Sequence, residues 1–296
     1  MKNILCIVNP VSGLKKSLKV YYELENIIKD HGFIPELLIT KYAGHARKVV
    51  SELQSDQFDR ILIFGGDGTV NEVVNGLYQS DLCSFFPIGI IPTGSGNSVV
   101  HDIDYLDYNI AIEKALSDDI RLMDVNKAIF DNEVRLSISV IGWGMFSFGN
   151  VLAEKLRFLG TIRYDVASVI KLIEKTLFKA SISIDGKISN ISCAFMVGCN
   201  SVHTGKGMKI APSGGFYDEM IDMVIVKDDV SRLQLVKVFK EVYSGKHTEL
   251  PYVHMSKAKS FSIDALKDSY FNVDGDTIKS KKVSVQILPK TIKLLV

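Results

Sequence analysis

Ile61 to Leu77 reads ILIFGGDGTVNEVVNGL, and the fold follows from how this stretch changes character along its length. Ile61, Leu62, Ile63 and Phe64 form a short continuous apolar run rich in β-branched and aromatic side chains, the pattern of a strand buried on both faces. The run ends at Gly65-Gly66, where the backbone can turn sharply and come close to a ligand. Beyond Asp67-Gly68-Thr69, the residues Val70, Val73, Val74 and Leu77 recur at helical spacing. The stretch is therefore a strand, a glycine turn and a helix N-terminus. Amides at such a junction carry the positive end of the helix dipole and favour phosphate. Asp67 is discordant there. A carboxylate beside phosphate is repulsive unless a divalent cation bridges the two or the carboxylate takes a proton from an attacking hydroxyl, and phosphoryl transfer uses both services. A second reading is that Asp67 helps to cap the helix.

On the N-terminal side, Asn3 to Val8 reads as a buried strand and runs into the turn Asn9-Pro10-Val11-Ser12-Gly13, with Lys15 and Lys16 just after it. Such a turn can hold adenine or phosphate, or be a plain connection. Leu18 to His31 has helical spacing and Gly32 stops it. Phe33 to Thr40 makes a second strand, and Gly44-His45-Ala46 opens a helix reaching about Leu53. On the C-terminal side, Pro87 to Ile91 is a fourth strand, ending in Pro92-Thr93-Gly94-Ser95-Gly96-Asn97. Strands and helices alternating over short links predict an α/β domain: a parallel sheet with helices on both faces. Ligands of such sheets bind at the carboxyl ends of strands, where Asn9, Thr40 and Gly65 fall. A second glycine-rich turn on a neighbouring strand end points to the same crevice.

After a helix over Tyr108 to Leu116, the period-2 runs dominate, as in Arg135 to Ile141, Ser192 to Cys199, Ile221 to Val226, Phe261 to Ile263 and Phe271 to Val273. Helical stretches at Val151 to Lys175 and Arg232 to Tyr243 interrupt them. These patterns predict residues 1–124 as the α/β domain, residues 125–284 as a mainly antiparallel β-sandwich domain, and residues 285–296 as returning to the first. Two domains suit 296 residues. With 35 basic and 34 acidic side chains, bulk charge gives no reason to expect nucleic acid. Lys279, Lys281 and Lys282 form either a local basic patch or a solvated charge run. Cys6, Cys83, Cys193 and Cys199 stand singly in apolar stretches, the usage of free thiols in a reducing, cytoplasmic setting. No apolar run is long enough to span a bilayer.

Taken together, NPVSG (Asn9 to Gly13), GGDGTVNEVVNGL (Gly65 to Leu77), PTGSGN (Pro92 to Asn97), Trp143-Gly144 followed by EKLRFLGTIRY (Glu154 to Tyr164), CNSVHTGKGMKIAP (Cys199 to Pro212) and VDGD (Val273 to Asp276) resemble the diacylglycerol kinase catalytic-domain superfamily, which includes the sphingosine and ceramide kinases. The resemblance implies an ATP-dependent kinase acting with Mg²⁺ on a lipid hydroxyl at a membrane surface, by transient peripheral association. It implies nucleotide contacts from Asn9, Ser12, Thr40, Gly65, Gly66, Gly68, Thr69, Glu72, Thr93, Gly94, Ser95 and Gly96, with Arg157 and Arg163 reaching the phosphates and Asp274 sharing the metal. The base is Asp67 or Asp276, since family branches differ. A structural Mg²⁺ of bacterial members maps onto Asp218 and Asp222, although Glu219 replaces the expected glycine. Asn150 stands where sphingosine kinases place an acid suited to an ammonium, which favours a neutral lipid such as diacylglycerol over a free sphingoid amine, unless Glu154 substitutes. An NAD-kinase-like enzyme and a catalytically silent nucleotide-binding regulator are the alternatives, and a homodimer is left open.

Overall fold

A computed structural model describes residues 2–145, 147, 177–205 and 207–296. The chain divides into two compact units. The first comprises residues 1–125, 205–207 and 288–296, and the second residues 126–204 and 208–287.

In the first unit, strands β1 (Lys2–Val8), β2 (Phe33–Ile39), β3 (Arg60–Gly65) and β4 (Ile88–Pro92) alternate with helices α1 (Ser17–Asp30), α2 (His45–Ser51), α3 (Asp67–Gln79), α4 (Ser98–Asp102) and α5 (Tyr108–Leu116). The strands pair in parallel in the order β2-β1-β3-β4. Every residue of β3 and β4 is buried, as continuous apolar runs require. α1 packs on β2 and β3, α5 on β4 and α3 on β3, while α1 also meets α5 and α2 meets α3. The last residues of the chain complete this unit: Leu294 pairs in parallel with Ile88, and the Val296 amide donates to the Asp119 carbonyl.

The second unit is antiparallel. Its strands are the distal part of β5 (Ile120–Phe130), then β6 (Val134–Ser137), β7 (Val140–Gly144), β8 (Phe178–Ile184), β9 (Lys187–Cys199), β10 (His203–Thr204), β11 (Met208–Lys209), β12 (Ile221–Lys227), β13 (Val253–Ala258), β14 (Ser260–Val273) and the proximal part of β15 (Asp276–Leu295). Pairing runs β13-β12-β9-β7-β14-β15. β8 also bridges β9 and β14. Gly144 lies opposite Phe195 and Phe178 opposite Cys193, so β7 and β8 occupy one strand line along β9, and residues 145–177 are inserted between them. Trp143, Met196, Met223, Phe261, Phe271 and Val283 form a core with neighbours on one face. Val140, Val197 and Val224 form another, joined by Leu235 and Val238 of α6 (Arg232–Glu241).

Three of the four free thiols, Cys6, Cys193 and Cys199, are buried. Burial pushes the Cys193 thiol up to about 12 and that of the half-buried Cys83 to about 11, so these two stay protonated. Among the described residues no helix is long and apolar enough to cross a membrane. The sequence places a helix over Val151 to Lys175, which lies outside the described residues.

Gly76 is where α3 approaches α2. A Cβ there would stand 2.7 Å from the Arg47 carbonyl oxygen and 2.9 Å from Val50 Cβ, and the first of these is backbone that cannot rotate away. Gly76→Val should therefore separate the two helices and cost roughly 1–3 kcal/mol by overpacking, read as a lower denaturant midpoint.

Candidate active site

The carboxyl ends of β1, β2, β3 and β4 converge, and what closes them together is bare backbone. A Cβ on Gly94 would lie 2.4 Å from Gly66 Cα, and one on Gly13 would lie 1.7 Å from the Thr93 carbonyl oxygen. Gly13 also has φ +48°, in the left-handed region. The turns after β1, β3 and β4 thus touch main chain to main chain. Asn97, itself left-handed at φ +53°, fastens the third turn by donating from Nδ2 to the Gly94 carbonyl at 3.0 Å.

These turns frame a cleft of about 550 Å³, within the usual size of a small-molecule site. Of the residues assigned from the sequence, Asn9, Ser12, Thr40, Gly66, Asp67, Gly68, Thr69, Glu72, Gly94, Ser95 and Gly96 line it. Gly65 and Thr93 do not. Thr93 is fully buried and accepts from the Ser17 hydroxyl at 2.8 Å, and the Thr69 side chain crowds over Gly65. Lys41, Tyr42 and Ala43 line the cleft without having been read from the sequence, where Thr40-Lys41-Tyr42-Ala43 shows only a strand end followed by a polar turn.

Side chains of the central motif hold the walls. Asn9 Nδ2 donates to Thr69 Oγ1 at 3.0 Å, tying the first turn to α3. Both carboxylate oxygens of Glu72 accept amides at the start of α2, from Gly44 at 2.7 Å and Ala46 at 3.1 Å. Glu72 reaches the cleft, but its charge is directed at a helix N-terminus that has no cap of its own. Asp67 does not cap α3. Its Oδ1 accepts from the Val99 amide at 3.3 Å and its Oδ2 from the Ser98 hydroxyl at 3.2 Å, linking the turn after β3 to α4. Gly66, the residue before α3, has no side chain to close the first turn, so the helix start meets the cleft with amides and with Asp67.

Asp274, Asp276, Asp218 and Asp222, assigned from the sequence, lie in the second unit. Asp274, expected to share the nucleotide's metal, turns its carboxylate onto four donors: Ser137 Oγ at 2.8 Å and the amides of Ile138, Ser139 and Val140 at 2.7, 3.0 and 2.8 Å. Burial pushes this carboxyl above its ordinary value, against the pull of those four bonds. Asp274 is thus a bracket for the link between β6 and β7. Asp276, the alternative base, is exposed at the first position of β15, paired with Val273. Asp218 and Asp222, expected to hold Mg²⁺, enclose the Lys257 ammonium instead. Asn150, Glu154, Arg157 and Arg163 lie outside the described residues.

An α/β unit whose strand ends carry abutting glycine turns and an aspartate at a helix start, followed in the chain by an antiparallel β unit, is the build of a lipid-kinase-type phosphotransferase. Two known domains match in succession: the diacylglycerol kinase catalytic domain over residues 3–128 and the YegS C-terminal NAD kinase beta sandwich-like domain over residues 139–296. The chain belongs to the diacylglycerol kinase catalytic-domain superfamily. It is similar to a diacylglycerol kinase of Mycobacterium tuberculosis, 23% identical over 300 residues that cover 99% of this chain and 94% of the relative. It is also similar to sphingosine kinase 1 of Arabidopsis thaliana, 26% identical over 315 residues that cover 89% of this chain and 64% of that relative's length. A solved structure of a diacylglycerol kinase from Bacillus anthracis shares the fold, with a TM-score of 0.75 at 22% identity over 99% of this chain and 96% of that one.

Removing the Glu72 carboxylate would leave the Gly44 and Ala46 amides without their acceptor. Glu72→Ala should cost about 1 kcal/mol and raise hydrogen exchange at amides 44 and 46 while β3 stays protected, as followed by NMR or mass spectrometry.

Proposed function

We propose that the protein transfers the γ-phosphoryl group of ATP to the hydroxyl of a neutral lipid, diacylglycerol or a related acylated alcohol, with Mg²⁺ accompanying the nucleotide. The observation that carries this reading is the position of Asp67: a carboxylate at the uncapped start of α3, on the wall of a cleft to which Ser12, Gly13, Gly66, Gly68, Gly94, Ser95 and Gly96 contribute glycine backbone and hydroxyls. Amides at a helix start attract phosphate. A carboxylate among them is tolerable where a divalent cation offsets the repulsion, and Asp67 is a hard oxygen donor whose two protein bonds are long, at 3.2 and 3.3 Å. Bound with the nucleotide, Mg²⁺ would neutralise charge on the phosphate oxygens. Glu72, with both oxygens on amides, does not compete for that role.

In the reaction the lipid hydroxyl oxygen bonds to the γ-phosphorus as the bond to the β-phosphate oxygen breaks. Asp67 receives the hydroxyl proton and ADP leaves. The rigid turns of Gly13, Gly66 and Gly94 hold the phosphates in place, and positioning is most of what such a transfer asks of the protein. The choice of a neutral lipid rests on Asn150, a neutral amide where the resemblance to sphingosine kinases calls for an acid.

The test is transfer from γ-labelled ATP, with Mg²⁺, into diacylglycerol, monoacylglycerol, ceramide, sphingosine and NAD presented in detergent micelles. Label is expected in a neutral lipid and should fall by about 10²–10⁴-fold in Asp67→Asn, with ATP still bound. Label in sphingosine would reject the argument from Asn150. Label in NAD, or nucleotide binding without transfer to any alcohol, would reject the lipid-kinase reading.

A further inference from the structure

Asp222 on β12 is buried, at 1% exposure, and stands directly opposite Lys257 on β13 in the antiparallel register. The Lys257 ammonium donates to Asp218 Oδ2 at 2.5 Å and to the Ser213 carbonyl at 2.9 Å, and it pairs with Asp222 Oδ2 at 3.4 Å. The remaining carboxylate oxygens are occupied: Ser213 Oγ donates to Asp222 Oδ1 at 2.8 Å and the Met220 amide to Asp218 Oδ1 at 3.1 Å. Glu219, between the two acids, keeps a left-handed backbone at φ +59°, a conformation at which glycine is at ease. Two carboxylates and a backbone carbonyl converging on one point is the donor set of a hard divalent cation. Here that point is occupied by nitrogen. An ammonium has three N–H groups and accepts nothing: two of them reach Asp218 Oδ2 and the Ser213 carbonyl, while Asp222 Oδ2, without a hydrogen bond of its own, is compensated by the ammonium charge 3.4 Å away. The residues therefore do not fit a Mg²⁺ at this position, and among the described residues no group of three or more His, Cys, Asp or Glu is placed to hold one.

We propose that Lys257 is a built-in replacement for a structural divalent cation, so that the second unit keeps its fold without metal and the protein's divalent-ion requirement is confined to the nucleotide. The second half of this statement rests on the kinase reading, and the first half does not. A lysine delivered by strand register is always present, whereas a bound ion depends on its concentration. Its removal leaves Asp222 buried with an uncompensated charge, which is strongly destabilising.

The experiment is thermal unfolding of the full chain, without nucleotide, in EDTA and in millimolar MgCl₂ or CaCl₂, for the native sequence and for Lys257→Met. The native protein is expected to melt within about 1 °C in all three, because no ion binds its folded state at this point. Lys257→Met should melt lower in EDTA and recover by roughly 5 °C or more with Mg²⁺ or Ca²⁺, as the vacated oxygens take an ion. A fall in the native melting temperature on chelation, reversed by Mg²⁺, would overturn the proposal. So would a folded Lys257→Met that ignores both ions. If Lys257→Met does not fold under any condition, Asp222→Asn combined with Lys257→Met decides: it should fold and be indifferent to ions, and its failure would also overturn the proposal. Failure of lipid phosphorylation would leave these melts unaffected, so the two readings fall separately.

Discussion

The cleft exists because three turns come within contact distance with no side chain between them. Gly66 and Gly94 meet backbone to backbone, and Gly13 sits under the Thr93 carbonyl. A single methyl group at any of these points would require atoms of neighbouring main chain to move. Parallel pairing of β1, β3 and β4 sets the three turns side by side, with Gly65 opposite Pro92 and Val8 opposite Phe64. Glycine is costly in the unfolded chain because it has more freedom to lose. Burial of β3 and β4, apolar at almost every position, offsets that cost and fixes the strand ends from which the turns start.

Acidic residues in this protein divide by what their oxygens accept. Glu72 takes two amides of α2, and Asp274 takes three amides and a hydroxyl. A carboxylate surrounded in this way is a fixed structural charge, because moving it would orphan several donors at once. Asp67 differs in degree, with one long bond per oxygen and a place on the cleft wall. The same residue type thus serves as clamp or as candidate base according to how many donors surround it. That distinction is not visible in GGDGTVNE, where Asp67 and Glu72 look equally available.

The strand, turn and helix at Ile61 to Leu77 were legible because the apolar period changes abruptly at two glycines, and β3 and α3 begin and end close to where that change falls. The long hairpin was not. Phe261 to Ile263 and Phe271 to Val273 read as separate short strands, yet they belong to one strand, β14, whose register against β15 shifts between Asp264 and Ser269 and leaves Leu266 in solvent. β15 was hidden by Lys279, Lys281 and Lys282. Two of these pair across the hairpin, Lys279 with Asp268 at 3.1 Å and Lys282 with Asp264 at 3.0 Å, so the basic run is partly matched by acids on the neighbouring strand. The cleft residues Lys41 to Ala43 and the pairing of Lys257 with Asp218 and Asp222 were illegible for a shared reason. Each depends on residues distant in sequence: Lys41 to Ala43 reach the cleft beside turns of β1, β3 and β4, and Lys257 meets the acids through the β12–β13 register.

The collinearity of β7 and β8 bears on where acceptor specificity can reside. Both strands are held by β9 and β14, so the points at which residues 145–177 leave and rejoin the sheet are fixed by hydrogen bonds outside that segment. Asn150, Glu154, Arg157 and Arg163, the residues on which the lipid and phosphate assignments from sequence rest, all belong to this insertion. At the glycine turns the neighbours are main chain, so no side chain can be added there without moving backbone. The cleft turns and the segment that carries the lipid assignment are therefore distinct parts of the chain.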